Sequence, residues 1–146
     1  MDRVSSPHAS RRRRLGRQDG ASAVEFALIA PVLFIVLLGI LEFGVAFLQV
    51  QSIRTAVREG GRDAAVGAPV NVVQQTTVDA SVGSIPSGQN GNVSVSRRCT
   101  PQQIGEDTQV SYDTANLPAG GVVVRIPFIP VIRMTPVITA SFRCEA

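Results

Sequence analysis

Lysine is absent from this 146-residue chain: all 14 basic residues are arginine, and six of them (Arg3, Arg11, Arg12, Arg13, Arg14 and Arg17) precede Gly20. Removing those six, and Asp2 and Asp19 from the 11 acidic residues, leaves eight arginines against nine acids in residues 21–146. The positive charge is therefore a property of the first twenty residues, and a nucleic-acid partner loses its main support. Histidine occurs once, as His8 in that arginine-rich head, and cysteine only twice, as Cys99 and Cys144. Neither a histidine-based catalytic triad nor a four-ligand metal site can be assembled from this inventory within one chain. Glu106, Asp107 and Asp113 cluster in a stretch that reads as a polar loop, with no nucleophile or metal partner beside them. The expectation is a non-enzyme with no catalytic residue, metal, cofactor or small-molecule substrate.

What the chain does have is one long apolar run. From Phe26 to Leu41 sixteen residues pass without a charge, and if Glu42 is tolerated the run continues through Leu48. Twenty-three helical residues span roughly 35 Å, enough to cross a hydrocarbon core of about 30 Å with some tilt. The competing reading, a buried core helix, would need a larger partner than the remaining hundred residues or so supply. A transmembrane helix is therefore expected. Six arginines precede it and three (Arg54, Arg58, Arg62) follow closely, so the N-terminus should stay inside and the C-terminal part should be exported. Pro31 should kink the helix, and Glu42 should sit near its outer end.

Past the span, Gln49–Ala65 lacks strand alternation and is rich in helix formers, so the helix should run on, with Gly60 and Gly61 as its expected break. Arg54, Arg58 and Arg62 recur every four residues and form one cationic stripe, readable equally as a solvated face or a binding stripe. Pro69 suits the first position of a short helix reaching about Ser81. Ser81–Gly91 is a turn-rich linker. Beyond it the period changes to two. Val93 and Val95 alternate with serines; Val122, Val124, Ile126 and Phe128 share one face of a second run; Ile138, Ala140, Phe142 and Cys144 share one face of a third. Three strands, antiparallel and covered by helix on one side, make an α+β domain.

An even pair of cysteines in an exported chain reads as one disulfide, Cys99 to Cys144, with two free buried thiols as the alternative. Closing that loop would be worth roughly 4 kcal/mol in the chain-entropy model. The organisation expected is thus a basic leader over 1–20, an apolar helix with a juxtamembrane extension over 21–66 (core 26–48), and an exported α+β domain over 67–146.

The stretch RRRRLGRQDGASAVEFALIAP carries the functional reading. A basic head ends in Gly20, and Glu25 then opens the apolar run. A secretory signal would be cut behind small residues after the apolar segment, and no A-x-A site follows Leu48 within a few residues. A twin-arginine address would also be cut there. The stretch resembles instead a class III, type IV-like prepilin signal. Together with LLGILEFG, AVREGGRDAA and the C-terminal VVVRIPFIPVIRMTPVITASFRCE, it resembles the TadE/TadG-like minor pilins (pseudopilins) of the tight-adherence (Flp pilus) system. The resemblance covers both ends of the chain and leaves the middle unassigned.

That resemblance implies a type IV pilin-like architecture, cleavage after Gly20 by a prepilin peptidase on the cytoplasmic side, and Ala21 as the new N-terminus, with Glu25 and Phe26 as its fifth and sixth residues. The implied partners are the inner membrane, the peptidase, and other pilins and pilus-assembly proteins. The new amine at Ala21, with a reference pKa near about 8, and the Glu25 carboxylate lie four residues apart on one helix face. They can neutralise each other, or the pair can form between subunits and favour the correct stagger. The plainer reading of Glu25 is an acid favoured by the helix dipole in the first turn. Glu42 is left with two readings, an arginine of another subunit or the interface itself. Ala30, Gly39, Gly44 and Ala46 would permit close helix approach. The reading from another functional class is an uncleaved single-pass anchor that displays a periplasmic or cell-wall binding domain.

Overall fold

The computed structural model describes residues 19–145. The arginine cluster, His8 and the expected leader up to residue 18 lie outside the described residues. Helix α1 runs Asp19–Ala65 and continues through Pro31. Among the described residues it is the one helix long and apolar enough to cross a membrane. Two compact units divide the chain after Val36. In the first, Phe26, Leu28, Ile29, Val32, Leu33 and Phe34 are all exposed, the surface of a helix with no polar face and no protein cover.

In the second unit, which begins at Leu37, the character of α1 changes. Ala46, Ile53, Val57 and Ala64 are buried, with Val50 partly so, and Gly60 is buried between them. Steps of four and three residues draw one seam down the helix, the spacing that keeps side chains on a single face. Arg54, Arg58 and Arg62 project from outside that seam into solvent, and Arg62 pairs with Glu59 at 3.1 Å.

The helix does not break at Gly60 and Gly61. Both are buried, and both are points of close approach. A Cβ on Gly60 would collide with Thr77 and press on the Val73 carbonyl oxygen at 3.2 Å, while one on Gly61 would enter the Phe142 ring. The sequence signal for a break was a signal for contact. The helix stops later, where Gly67 takes a φ of +80°. There the Gly67 N–H donates to the Ala64 carbonyl and the Ala68 N–H to the Asp63 carbonyl, the paired bonds of a Schellman ending.

Helix α2 (Val70–Ala80) packs on this seam. Pro69 sits one position before the helix, where its carbonyl accepts the N–H groups of Val72 and Val73. The 81–91 linker is turn-rich, yet it is tied down: Ile85 is buried, and its N–H donates to the buried Ser81 hydroxyl at 3.0 Å.

Five strands follow: β1 (Val93–Val95), β2 (Asp107–Asp113), β3 (Val122–Val124), β4 (Ile132–Met134) and β5 (Val137–Arg143). A three-stranded antiparallel sheet has the order β1-β2-β5, and β3 and β4 form a separate antiparallel hairpin. The fold is α+β with a three-stranded antiparallel sheet, but its membership differs from expectation. The central strand is the stretch taken for a polar loop, and the 122–128 run leaves the main sheet. Register explains the centre: Tyr112 lies opposite both Val93 and Ile138, and Val110 opposite both Val95 and Ala140. One face of β2 (Thr108, Val110, Tyr112) is wholly buried, while Asp107 and Gln109 remain exposed. The 122–128 run stops pairing at Val124, before Pro127 removes a ladder donor.

Tyr112 is the core's largest fully buried side chain, and its hydroxyl donates to Gln89 Oε1 at 2.6 Å. Burial pushes the phenol up from the ordinary tyrosine value, and the neighbouring Asp113 carboxylate adds to the shift. A raised folded-state value means stability is intact below about pH 10 and is lost as pH rises through the folded value. Because Tyr112 is the only tyrosine, an absorbance titration reads it directly. The expected result is no phenolate signal near pH 10 in the folded chain, followed by ionisation and unfolding together at higher pH; ionisation at the free-tyrosine value without unfolding would contradict it.

Candidate functional site

The residues singled out at the head of the chain lie in the first turns of α1. Gly20 and Ala21 follow Asp19, the first helical residue, and both are exposed; a Cβ on Gly20 would meet nothing within 4 Å. Glu25 is exposed one turn beyond Ala21, and Phe26 is 70% exposed. The arrangement leaves the Glu25 carboxylate and the Phe26 ring on the surface of the helix.

The four small residues divide. Ala46 is buried in the chain's own core at 3% exposure, and a Cβ on Gly39 would rest 3.6 Å from Ile126 Cδ1. These two serve packing within the chain. Gly44 has open space beside it, and Ala30 is half-buried.

Glu42 has a partner inside its own unit. The Arg125 backbone N–H donates to Glu42 Oε2 at 3.2 Å, so the carboxylate fastens the end of β3 to α1. Sequence reasoning did not connect these residues, which are 83 positions apart. The available signal was IPFIP itself, where two prolines interrupt an alternating run and mark a tip.

Cys99 and Cys144 are bonded, with Cα atoms 5.5 Å apart and both residues buried. Cys99 follows β1 and Cys144 follows β5, so the bond links the two strands that flank β2. Around it the Cys144 N–H donates to the Glu106 carbonyl at 2.7 Å, and the Glu145 N–H to the Ala65 carbonyl at 3.0 Å. The end of β5 is thereby held against the end of α1. Arg97 pairs with Glu106 beside the bond.

Residues 20–62 match the family model for TadE-like proteins. This helix is TadE-like. The match takes in Gly20, Ala21, Glu25, Phe26 and Glu42, runs nearly to the end of α1, and leaves the strands outside it. The matched residues all lie within α1, which is long and apolar enough to cross a membrane. No curated protein and no solved structure matches the chain. The TadE-like segment thus carries the relationship, and what the α+β unit does must be argued from its own residues.

Proposed function

We propose that this protein is a minor pilin or pseudopilin of an adhesive tight-adherence (Flp) pilus, processed after Gly20 by a prepilin peptidase and active through packing rather than catalysis. The observation that carries the reading is the coincidence of the TadE-like match with exposed Gly20 and Ala21 just ahead of an uncovered apolar helical run. Cleavage there removes the basic leader and leaves the membrane helix on the mature chain. The N-terminus faces the cytoplasm of an inner-membrane, single-pass protein, and the disulfide-closed unit lies outside, available to other subunits. An apolar helix exposed all round can exchange lipid for similar helices at little cost, since lipid tails and leucine side chains are equally apolar. Glu25 then neutralises the amine of Ala21 in its own or a neighbouring subunit.

Intact mass from membranes of cells with and without a prepilin peptidase tests this, run on the native chain and on Glu25→Ala. The expected result is a peptidase-dependent loss of residues 1–20, and failure of the Glu25→Ala chain to support piliation. Full-length mass in both strains sinks the pilin reading and leaves the uncleaved anchor with an exported binding domain. Normal piliation by Glu25→Ala sinks the pairing role alone.

A further inference from the structure

The β3-β4 hairpin ends in an apolar tip that the domain does not use. Phe128 is 93% exposed, and Ile129 and Val131 are each about half exposed. The tip is not a loose loop. The Ile129 N–H donates to the Ile126 carbonyl at 3.2 Å, closing a turn with Pro127 at its second position and Phe128 at its third. Phe128 takes a φ of +66°, in the left-handed region where such turns ordinarily place glycine or asparagine. An aromatic residue held in that conformation without packing against its own chain calls for a partner outside it.

The position of the tip says what that partner is. At its base, Ile126 lies against Gly39 and the Arg125 amide is bonded to Glu42. Gly39 stands nine residues before Leu48, so the base of the tip lies about 13 Å short of the end of the apolar run. At this level Ile40, Leu41, Phe43 and Phe47 are all exposed on α1. A groove of about 330 Å³ joins that surface to the hairpin; Phe43, Ala46, Phe47, Val50, Met134 of β4 and Pro136 line it, with Arg54 as its one charged member. Any lipid that covers α1 at Gly39–Phe47 also covers the tip.

The tip's chemistry suits that environment. Pro127 and Pro130 have no N–H, and the N–H groups of Arg125 and Ile129 are bonded within the chain, which removes much of the penalty for taking backbone out of water. Arg125 and Arg133, both exposed, flank the apolar tip where long cationic side chains can reach lipid phosphates.

We propose that the β3-β4 hairpin is a second membrane contact, with Phe128 and Ile129 inserted among the acyl chains of the leaflet nearest the domain and Arg125 and Arg133 at its headgroups. The inference rests on α1 crossing the membrane, and its test separates the two. The chain has no tryptophan, so one introduced residue reports alone. Full-length Phe128→Trp, Leu33→Trp and Ile104→Trp chains are reconstituted in phosphatidylcholine and phosphatidylglycerol vesicles with bromines on the acyl chains. Leu33 reports the span, and Ile104, exposed near Cys144, reports the far end of the domain.

The expected result is strong quenching with blue-shifted emission at Phe128→Trp and Leu33→Trp, and water-like emission at Ile104→Trp. Water-like, unquenched emission at Phe128→Trp beside a quenched Leu33→Trp overturns the hairpin contact and leaves the span intact. Blue-shifted but unquenched emission also overturns it, and shows the tip covered by a second copy of the chain. Loss of quenching at Leu33→Trp overturns the membrane reading and the hairpin contact together. Phe128 is almost free of intrachain packing, so replacement by another aromatic leaves the fold undisturbed.

Discussion

Removal of the Cys99–Cys144 bond, in a Cys99→Ala, Cys144→Ala chain, is expected to lower the unfolding free energy of the domain by about 4 kcal/mol. The cysteines are 45 residues apart, and that loop length gives this value in the chain-entropy model. Against a total of about 5–15 kcal/mol for a domain, this is the largest single contribution any covalent feature makes here. At roughly 4–8 °C per kcal/mol for a unit of this size, the midpoint falls by about 15–30 °C. The position of the bond adds to the argument, because it joins the strands on either side of β2 and not two neighbours. Without it, β1 is held to the sheet by three residue pairs with β2, and short strands with so few partners fray. Thermal unfolding of the detergent-solubilised full chain, followed through Tyr112 emission, checks this. A midpoint within a few degrees of the native chain would show that the bond does not restrain the unfolded ensemble as the model requires.

Gly60→Ala is expected to be destabilising although it sits inside a helix, by about 1–3 kcal/mol, the usual range for overpacking. In an exposed helix the same change stabilises by about 1 kcal/mol, because alanine is the better helix former. The sign reverses here because the new methyl meets Thr77 and the Val73 carbonyl of α2. Thr77 cannot easily swing aside: it is fully buried, and its hydroxyl donates to the Val73 carbonyl at 2.7 Å. Rotating it away leaves a buried hydroxyl unpaired. Gly44→Ala is the internal control, since nothing lies within 4 Å of a Cβ there and no loss is expected. Unfolding midpoints of the two variants that move together would remove the packing explanation. Gly61 is the softer case, because the Phe142 ring it meets is half-buried and has room to shift.

The contrast between these glycines shows where the sequence was legible and where it was not. The long apolar run of α1 and the alternation of Ile138, Ala140, Phe142 and Cys144 are local patterns, and local patterns set which face is buried. Gly60 and Gly61 were read through their low helix propensity, and tertiary contact with α2 and β5 overrode it. β2 was missed for a related reason. Its inward side chains are Thr108, Val110 and Tyr112, two of them carrying hydroxyls, so the period-two signal was present but its polar atoms hid it. Those hydroxyls are satisfied at a distance, Thr108 by the Arg97 carbonyl and Tyr112 by Gln89, pairings that no window along the chain displays. At the head of the chain, Gly20, Ala21, Glu25 and Phe26 stand close together and could be picked out as a motif. Glu42 and Arg125 could not, since only the fold brings them together.

The late arrival of β5 has a bearing on when the domain can close. β2 pairs along its whole length with β5, and Phe142 of β5 fills the space left by Gly61, yet β5 comes after every other described element. Until Val137–Arg143 has emerged, β2 keeps one unpaired edge, Cys99 lacks its sulfur partner, and the end of α1 lacks the Glu145 amide that meets Ala65. Contacts between such distant parts of a chain form slowly, because the intervening loop must be ordered first. The C-terminal unit is therefore a latch that can shut only once β5 is available to it.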